Sequence, residues 1–325
     1  MFPIANFIQR SIIQGTPLLF GSTGEILTEK SGNLNLGIPG IMYIGGICGV
    51  IGGFLYQQTG RFVPALALII PLVCSLLGSA LASLLYCFLT VTLRANQNVT
   101  GLALTTFGVG FGNFFGGSLI KLVDTEVPSI ALTRFAKVYK QSLAFASKLG
   151  WCGEIFLSHS FMVYLAVILA AVVAFILMRT RVGLHLRAVG ENPATADAAG
   201  INVTLYKYVA TTIGGMIAGL GGLYYVMDYT NGVWSNNGFG DRGWLAIALV
   251  IFATWKPLVG ILGSYLFGGL YILFNYINVS MQVQPLIQML PYVVTIIVLI
   301  VTSIRKKREN QEPSSLGLSY FREER

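Results

Sequence analysis

The sequence predicts an all-α integral membrane protein: a polytopic helical bundle of eight to ten transmembrane helices with at least one broken or re-entrant segment. Hydrophobic residues make up 54% of the 325 residues and charged residues only 10%, whereas a soluble domain carries about 25% charged residues. Apolar runs of about 20 residues, the length that crosses a hydrocarbon core of roughly 30 Å, recur along the chain. Transmembrane β-strands alternate apolar and polar residues, so these uniformly apolar runs predict helices.

Nine candidate spans follow one another along the sequence. They cover residues 7–24, 36–56, 63–92, 101–120, 161–178, 208–227, 244–255, 258–277 and 286–304. The third is long enough for one tilted helix or for a helix with a broken piece, and the seventh is too short to cross alone. The polar stretch at 32–40 is either a loop or a kink within one span. The sequence therefore does not decide on which side of the membrane the amino terminus lies.

Basic residues predict the orientation of the chain. Arg179, Arg181, Arg187 and Lys207 follow the fifth span, and residues 305–308 are all basic. The positive-inside rule places both segments in the cytoplasm, so we assign the net charge of +8 to the membrane surface and expect no nucleic-acid partner. The expected organisation is a transmembrane domain at 1–304, an external loop at 121–160, a cytoplasmic loop at 179–207 and a basic and polar tail at 305–325. The polar tail is expected to be disordered.

Signals of catalysis are sparse in this sequence. His159 and His185 lie in neither a metal-binding nor a nucleophile motif. Glycines spaced four residues apart, such as Gly108, Gly112 and Gly116, favour close helix packing rather than a phosphate-binding loop, because no suitable Lys and Ser/Thr follow them. We expect no enzyme, no metal site and no cofactor bound by this chain. A membrane enzyme or scaffold would need a catalytic constellation or a soluble interaction domain.

The cytoplasmic loop contains a short segment with strong helix signals. Asn192 suits an N-cap, Pro193 suits the first helical position, and Gly200 suits the residue after the helix end. The alanines between them favour about two helical turns. A helix this short needs a partner to pack against, so it is either an interfacial connector or a docking element.

A second polar stretch, residues 22–40, lies between apolar spans. Carboxylates and amides close to membrane depth normally face a protein interior or a water-filled cavity, and Gly32, Gly37, Pro39 and Gly40 interrupt regular helix here. The alternative is an ordinary connecting loop. The candidate residues of a translocation pathway, with further amides and one aromatic residue from later spans, are Glu25, Asn33, Asn35, Asn98, Asn113 and Trp244.

Four segments, in order, resemble a known family. They are GEILTEKSGNLNLGIPGIM, LRAVGENPATADAAGINV, GGMIAGLGGLYY and GWLAIALVIFATWKPLVGILGSYLFGG. They are similar to the permease subunits of ABC importers in the ribose and branched-chain amino acid permease superfamily, closest to the branch for nucleosides and simple sugars. The resemblance implies a multi-pass permease of the bacterial inner (cytoplasmic) membrane that forms the pathway for a nucleoside or simple sugar. Pro39 stands where relatives commonly have Glu, so no role of that carboxylate carries over.

The resemblance also implies partners. These are a second permease subunit, two ATP-binding cassette ATPase subunits or domains, an extracytoplasmic solute-binding lipoprotein and the lipid bilayer. By resemblance, the residues that couple the chain to the ATPase are Gly190, Glu191, Asn192, Pro193, Ala196, Asp197 and Gly200. No Walker A sequence occurs in the chain, so ATP is expected to be used by the partner ATPase.

The solute itself is left open by the sequence. For a nucleobase, Trp234, Phe239 and Trp244 would add aromatic stacking, although Trp and Tyr also anchor helices at membrane interfaces. The alternative function is a secondary transporter or channel for a small polar solute. That class would be expected to carry ion-coupling carboxylates within its spans, and beyond Glu25 the sequence has few.

Overall fold

Long helices account for most of the chain. The computed structural model describes residues 4–121, 130–141, 153, 155–277, 282–305 and 311–321. In chain order the elements are α1 (Ile4–Glu29), α2 (Ile38–Gln58), α3 (Pro64–Cys87), α4 (Gln97–Ile120), β1 (Ile130–Ala131), α5 (Thr133–Tyr139), α6 (Phe161–Arg179), α7 (Arg181–Glu191), α8 (Pro193–Ala198), α9 (Val203–Tyr224), β2 (Val233–Trp234), α10 (Arg242–Phe252), α11 (Pro257–Ile272), α12 (Gln284–Gln288) and α13 (Leu290–Arg305). The two short strands pair in antiparallel fashion.

Each predicted span coincides with one helix, except the last, which covers two. Within the described residues, five helices are long and apolar enough to cross a membrane: Ile38–Gln58, Pro64–Thr92, Phe161–Arg179, Val203–Tyr229 and Pro257–Asn275. The second and fourth of these include π-helical extensions of α3 and α9. Helices α1 and α4 are 26 and 24 residues long but carry more polar residues, and α10 and α13 are shorter apolar helices. The polytopic helical fold is therefore confirmed.

The structure decides the alternative left open for residues 32–40 and corrects the last predicted span. The polar stretch is a loop and not a kink, because α1 ends at Glu29 and α2 begins at Ile38. Gly32 has a φ of +77° in this loop, a conformation that glycine adopts without strain. The last span is not continuous either, since α12 ends at Gln288 and α13 begins at Leu290.

The direction of α1 follows from its packing against α9. Gly24 lies against Gly214, and Pro17 lies against Gly221, seven residues further along α9. The two helices are therefore antiparallel. The turn after α1 contacts Gly190 of α7, so α1 ends on the face of the bundle that holds α7 and α8. We call this the coupling face, after the role that the resemblance implies for α8.

The remaining helices alternate from there. Gly45 and Gly46 of α2 lie against Gly219 and Gly222 of α9, so α2 and α9 run parallel, away from the coupling face. The short connection at 59–63 returns the chain as α3. Following the described helices in this way gives nine crossings, with the start of α1 on the face opposite α7 and α8.

The short helix α10 is preceded by a re-entrant segment, residues 230–241. Within it, the Trp234 and Phe239 rings lie 5.8 Å and 5.4 Å from the ring of Tyr43 on α2, centroid to centroid. The segment therefore enters the bundle from the face opposite the coupling face. The 11 residues of α10, about 16 Å at 1.5 Å per residue, complete the crossing. The prediction of at least one broken or re-entrant segment is confirmed.

The expectation of a disordered tail is wrong for residues 311–321. The Ser315 amide donates to the Gly190 carbonyl oxygen at 3.0 Å, and the Tyr320 hydroxyl donates to Asp197 Oδ2 at 2.8 Å. The Tyr320 ring also packs against a small apolar cluster around Val189 and Ala196. The tail is polar on average, but its few apolar side chains pack over the loop that contains α7 and α8.

Cysteine labelling tests this topology. In a variant without the four native cysteines, Thr195→Cys should react only from the cytoplasmic side and Lys140→Cys only from outside, because α8 and α5 lie on opposite faces and the basic residues favour the coupling face inside. Membrane-impermeant maleimide applied to cells and to inverted vesicles measures this. Labelling of both positions from one side would contradict the helix count, and the reverse pattern would overturn the orientation.

Candidate translocation and coupling sites

Residues of the polar stretch assemble into an interior polar cluster: Glu25, Glu29, Asn33 and Asn35, with Thr211 of α9. Glu25 Oε1 accepts a hydrogen bond from the Asn35 amide at 3.1 Å, and Asn33 Nδ2 donates to Thr211 Oγ1 at 3.0 Å. Each of these five side chains is 0% to 4% exposed. In this conformation the interior polar cluster lines no open pathway, although its Asn33 Oδ1 and Asn35 Nδ2 have no partner among the described residues.

Two carboxyl groups of this cluster lie one helical turn apart. Glu25 is 0% and Glu29 is 4% exposed, so both carboxyl groups are sealed inside the bundle. Trp255 Nε1 donates to Glu29 Oε2, and Trp255 belongs to the turn between α10 and α11. The cluster thus fastens the end of α1 to two other parts of the bundle.

Helix α4 presents several small and polar residues outward, among exposed apolar side chains such as Val99 and Leu102. Asn98, Thr106 and Gly110 are exposed and Asn113 is half-buried, and their spacing of three, four and eight residues places them on one side of the helix. We call these four residues the polar face of α4. A Cβ atom added at Gly110 would meet nothing within 4 Å, so this side is open.

The polar face of α4 ends at the re-entrant segment. Asn113 Nδ2 donates to Asn237 Oδ1 at 2.9 Å, and the Asn237 amide donates to Asn113 Oδ1 at 3.2 Å. Nearby, Trp234 Nε1 donates to Asn236 Oδ1 at 3.2 Å. Trp244, by contrast, is 37% exposed on the first turn of α10. The six candidate pathway residues therefore divide into an interior set, an exposed set on α4 and an isolated tryptophan.

The predicted two-turn helix is present as α8. Asn192 Oδ1 accepts from the Thr195 amide at 3.0 Å, Pro193 occupies the first turn, and Gly200 has a φ of +83°. Ala196, however, is only 3% exposed, because it packs between Val189 and Val203. The alanine faces the protein interior.

The other predicted coupling residues also differ in exposure. Glu191, Asn192 and Gly200 are exposed, whereas Pro193 and Asp197 are half-buried. Gly190 is buried, and a Cβ atom there would lie 2.3 Å from the Lys30 carbonyl oxygen. Burial lowers the pKa of the Lys30 ammonium, and the nearby Glu191 carboxylate opposes this shift. The exposed residues offer a contact surface, and the buried ones support it.

Comparison with known proteins identifies the family. A model of the branched-chain amino acid transport system permease component family matches residues 7–301. The chain belongs to this family. The permease is therefore a multi-pass component of an ABC transporter in the cell membrane, a transport protein that works with ATPase and other subunits.

Similar curated proteins match along nearly the whole permease. TsgC13 of Haloferax volcanii, provisionally named a glucose ABC transporter permease, is 32% identical over 98% of both chains. The nucleoside ABC transporter permease NupC of Lactococcus lactis is 32% identical over 90% of both chains. The guanosine ABC transporter permease NupQ of Bacillus subtilis is 31% identical over 91% of both chains. No solved structure matches the permease.

One residue that positions the permease's re-entrant segment was missed by the sequence analysis. The Arg242 guanidinium lies 4.8 Å, 4.9 Å and 5.3 Å from the ring centroids of Tyr225, Tyr229 and Tyr271, and it donates to the Phe239 carbonyl oxygen at 2.9 Å. The side chain is 6% exposed. The available signal was an arginine that begins an apolar run at the outer face, where basic residues are disfavoured.

Substituting two asparagines tests the difference between interior and exposed amides. Asn33→Ala should lower the free energy of unfolding by about 1–3 kcal/mol, because it leaves the buried Thr211 hydroxyl without its partner. Asn98→Ala, the matched control on the exposed face of α4, should change it by less than about 0.5 kcal/mol. Thermal unfolding of the detergent-purified permease measures both. Equal shifts would mean that the Asn33 amide contributes no buried hydrogen bond.

Proposed function

We propose that this permease and a second permease subunit enclose the pathway for a nucleoside or simple sugar, with the polar face of α4 as part of its wall. The observation that supports this is the outward exposure of amide, hydroxyl and glycine positions on a membrane helix. An exposed amide side chain is costly against hydrocarbon, so a water-filled space or another protein is the favourable neighbour of this face. From Asn98 to Asn113 the face rises about 22 Å at 1.5 Å per residue, most of the hydrocarbon thickness.

The chemistry of this face suits an uncharged polar solute. Residues 97–120 include no Asp, Glu, Lys or Arg, so the wall offers exchangeable hydrogen bonds without fixed charge. Exposed Phe107 and Phe114 flank the polar positions and supply apolar faces for a sugar ring or nucleobase. Curated relatives named for glucose, nucleoside and guanosine transport support the same solute class.

The interior polar cluster has a different proposed role. Glu25, Asn33 and Asn35 are sealed between α1, α9 and the turn before α2, so they reach the solute only if the cycle separates these elements. Their exposure in a second conformation remains a prediction. Trp244 is also proposed as a pathway residue, and the support for this is its exposed position on α10.

Coupling is proposed to occur through the exposed part of α8 and its flanks. Two ATP-binding cassette subunits, closing around ATP, would push the surface formed by Glu191, Asn192, Thr195 and Ala199, and the helices would rock between outward-open and inward-open arrangements. In this proposal the chain itself binds no ATP or other cofactor. An extracytoplasmic binding lipoprotein would deliver the solute to the opposite face, near the re-entrant segment.

A bulky side chain on the polar face of α4 should block the pathway. Gly110→Trp is expected to reduce ATP-dependent solute uptake by at least tenfold, because the indole fills open space on this face. Leu77→Trp on α3, where the native side chain is 59% exposed, is the control and should retain uptake within about twofold, since large side chains already face lipid there. Uptake of radiolabelled nucleoside and sugar into proteoliposomes of the whole transporter measures both. Equal uptake by the two variants would place the pathway elsewhere.

Two arginine substitutions separate docking from internal support. Ala199→Arg adds a long cation to the exposed end of α8 and should leave thermal stability unchanged while abolishing capture of the ATPase subunit. Ala196→Arg should instead destabilise the permease by about 1–3 kcal/mol or more, because its site is filled by Val189 and Val203. Val182→Arg, at an exposed position of α7, is the control and should keep both stability and capture.

Pull-down of the ATPase subunit and thermal unfolding, measured on the same preparations, decide between the outcomes. Wild-type capture by Ala199→Arg would show that the exposed end of α8 is not the docking element. Solute uptake that continues without ATP would favour the secondary transporter or channel instead.

A further inference from the structure

A cavity of about 410 Å³ opens on the coupling face. The carboxyl end of α3, the first turn of α9 and the docked tail enclose it. At roughly 30 Å³ per water molecule, its volume equals that of more than ten waters. The residues that define its chemistry are Arg94, Asp197, Val203, Thr204, Lys207 and Tyr320.

Lys207 is the unusual member of this lining. Its side chain is only 3% exposed, and within the described residues it makes no hydrogen bond or ion pair. Burying an ammonium group without a partner is costly. The side chain lines the cavity, so the cavity is where an acceptor for its N–H groups would lie.

The first turn of α9 adds donors beside Lys207. Asn202 Oδ1 accepts from the Leu205 amide at 3.0 Å, which leaves the amides of Val203 and Thr204 without an acceptor inside the helix. The amino end of this 22-residue helix also carries a partial positive charge. Backbone amides at such an end, together with a lysine, form a common arrangement for binding phosphate.

The charges of the cavity favour an anion. Arg94 adds a second cation, and its guanidinium lies 4.6 Å from the ring centroid of Phe321 in the tail. The carboxylate in the lining is Asp197, and its Oδ2 accepts the hydrogen bond from Tyr320 described above. The cavity lining therefore contains two cations and a helix amino end but one carboxylate, which is already hydrogen-bonded.

We propose that this cavity binds a phosphate group, held by Lys207, Arg94 and the first turn of α9. The group belongs either to the headgroup of an anionic phospholipid or to a soluble phosphate or phosphate ester, since both present the same oxygens to the site. The bound group would join α3, α9 and the tail next to α8. Its binding is independent of the transported solute.

Two binding measurements distinguish the sources. The full chain, purified with its associated subunits and stripped of lipid in detergent, is titrated with inorganic phosphate in a calorimeter. The same protein is then placed in nanodiscs of phosphatidylglycerol or of phosphatidylcholine, and retained lipid is counted by native mass spectrometry. Phosphate binding supports a soluble ligand, and selective retention of phosphatidylglycerol supports a lipid headgroup.

Three variants test the residues. Lys207→Met, which keeps the length of the buried stem, should weaken binding in the positive measurement by at least tenfold, and Arg94→Gln, at an exposed position, by at least threefold. Arg187→Gln removes a cation of the coupling face outside the cavity and should retain binding within twofold. Absence of binding by the wild type in both measurements would overturn the proposal. So would equal weakening by Arg94→Gln and Arg187→Gln, because nonspecific charge would then explain the binding.

Discussion

The structure depends on close backbone packing around α9. Association of helices in lipid gains little from the hydrophobic effect, so it relies on tight contact between small residues. A Cβ atom at Gly24 would lie 2.1 Å from the Gly214 carbonyl oxygen, and one at Gly45 would lie 2.5 Å from the Gly219 Cα atom. These glycines allow α1 and α2 to pack closely against different faces of α9. That position determines where the α1–α2 turn, the re-entrant segment and the first turn of α9 can lie.

The packing also separates polar groups into two environments. Asn33 and Thr211 meet in the dry interior, where their hydrogen bond holds the α1–α2 turn against α9. Asn98 and Thr106 point outward from α4, where one subunit alone cannot enclose a solute. If the polar face of α4 lines the pathway as proposed, a second permease would be needed to close it, because the described interior is closely packed and the open polar surface lies on its flank.

Much of the fold follows from the sequence, because the length of apolar runs and the residues that begin or end helices indicate helices directly. Apolar runs predicted the nine spans, the run at 244–255 was too short to cross alone, and the Asn192 and Pro193 pair marked the start of α8. These signals act over a few residues and need no tertiary partner. They could not decide whether the stretch at 32–40 was a loop or a kink, because glycine and proline interrupt a helix in either case.

The side chains of the sites were harder to predict because their surroundings come from distant segments. Ala196 has the small size expected of a docking residue, but Val189 and Val203 bury it from the protein side. Nothing in the sequence shows that Tyr225, Tyr229 and Tyr271 surround Arg242. Periodicity indicates that a residue lies on a helix, and it does not say which neighbour covers it.

Docking of the tail imposes an order on biosynthesis. Ser315 bonds to Gly190, 125 residues earlier in the chain, so the ribosome makes the loop long before its covering segment. At about 5–20 residues per second, the delay is roughly 6–25 s. During that interval α9, α10, α11 and α13 must enter the bilayer. A stalled or truncated chain would therefore present α8 without its cover, and the proposed contact point for the ATPase would mature only after the membrane helices are in place.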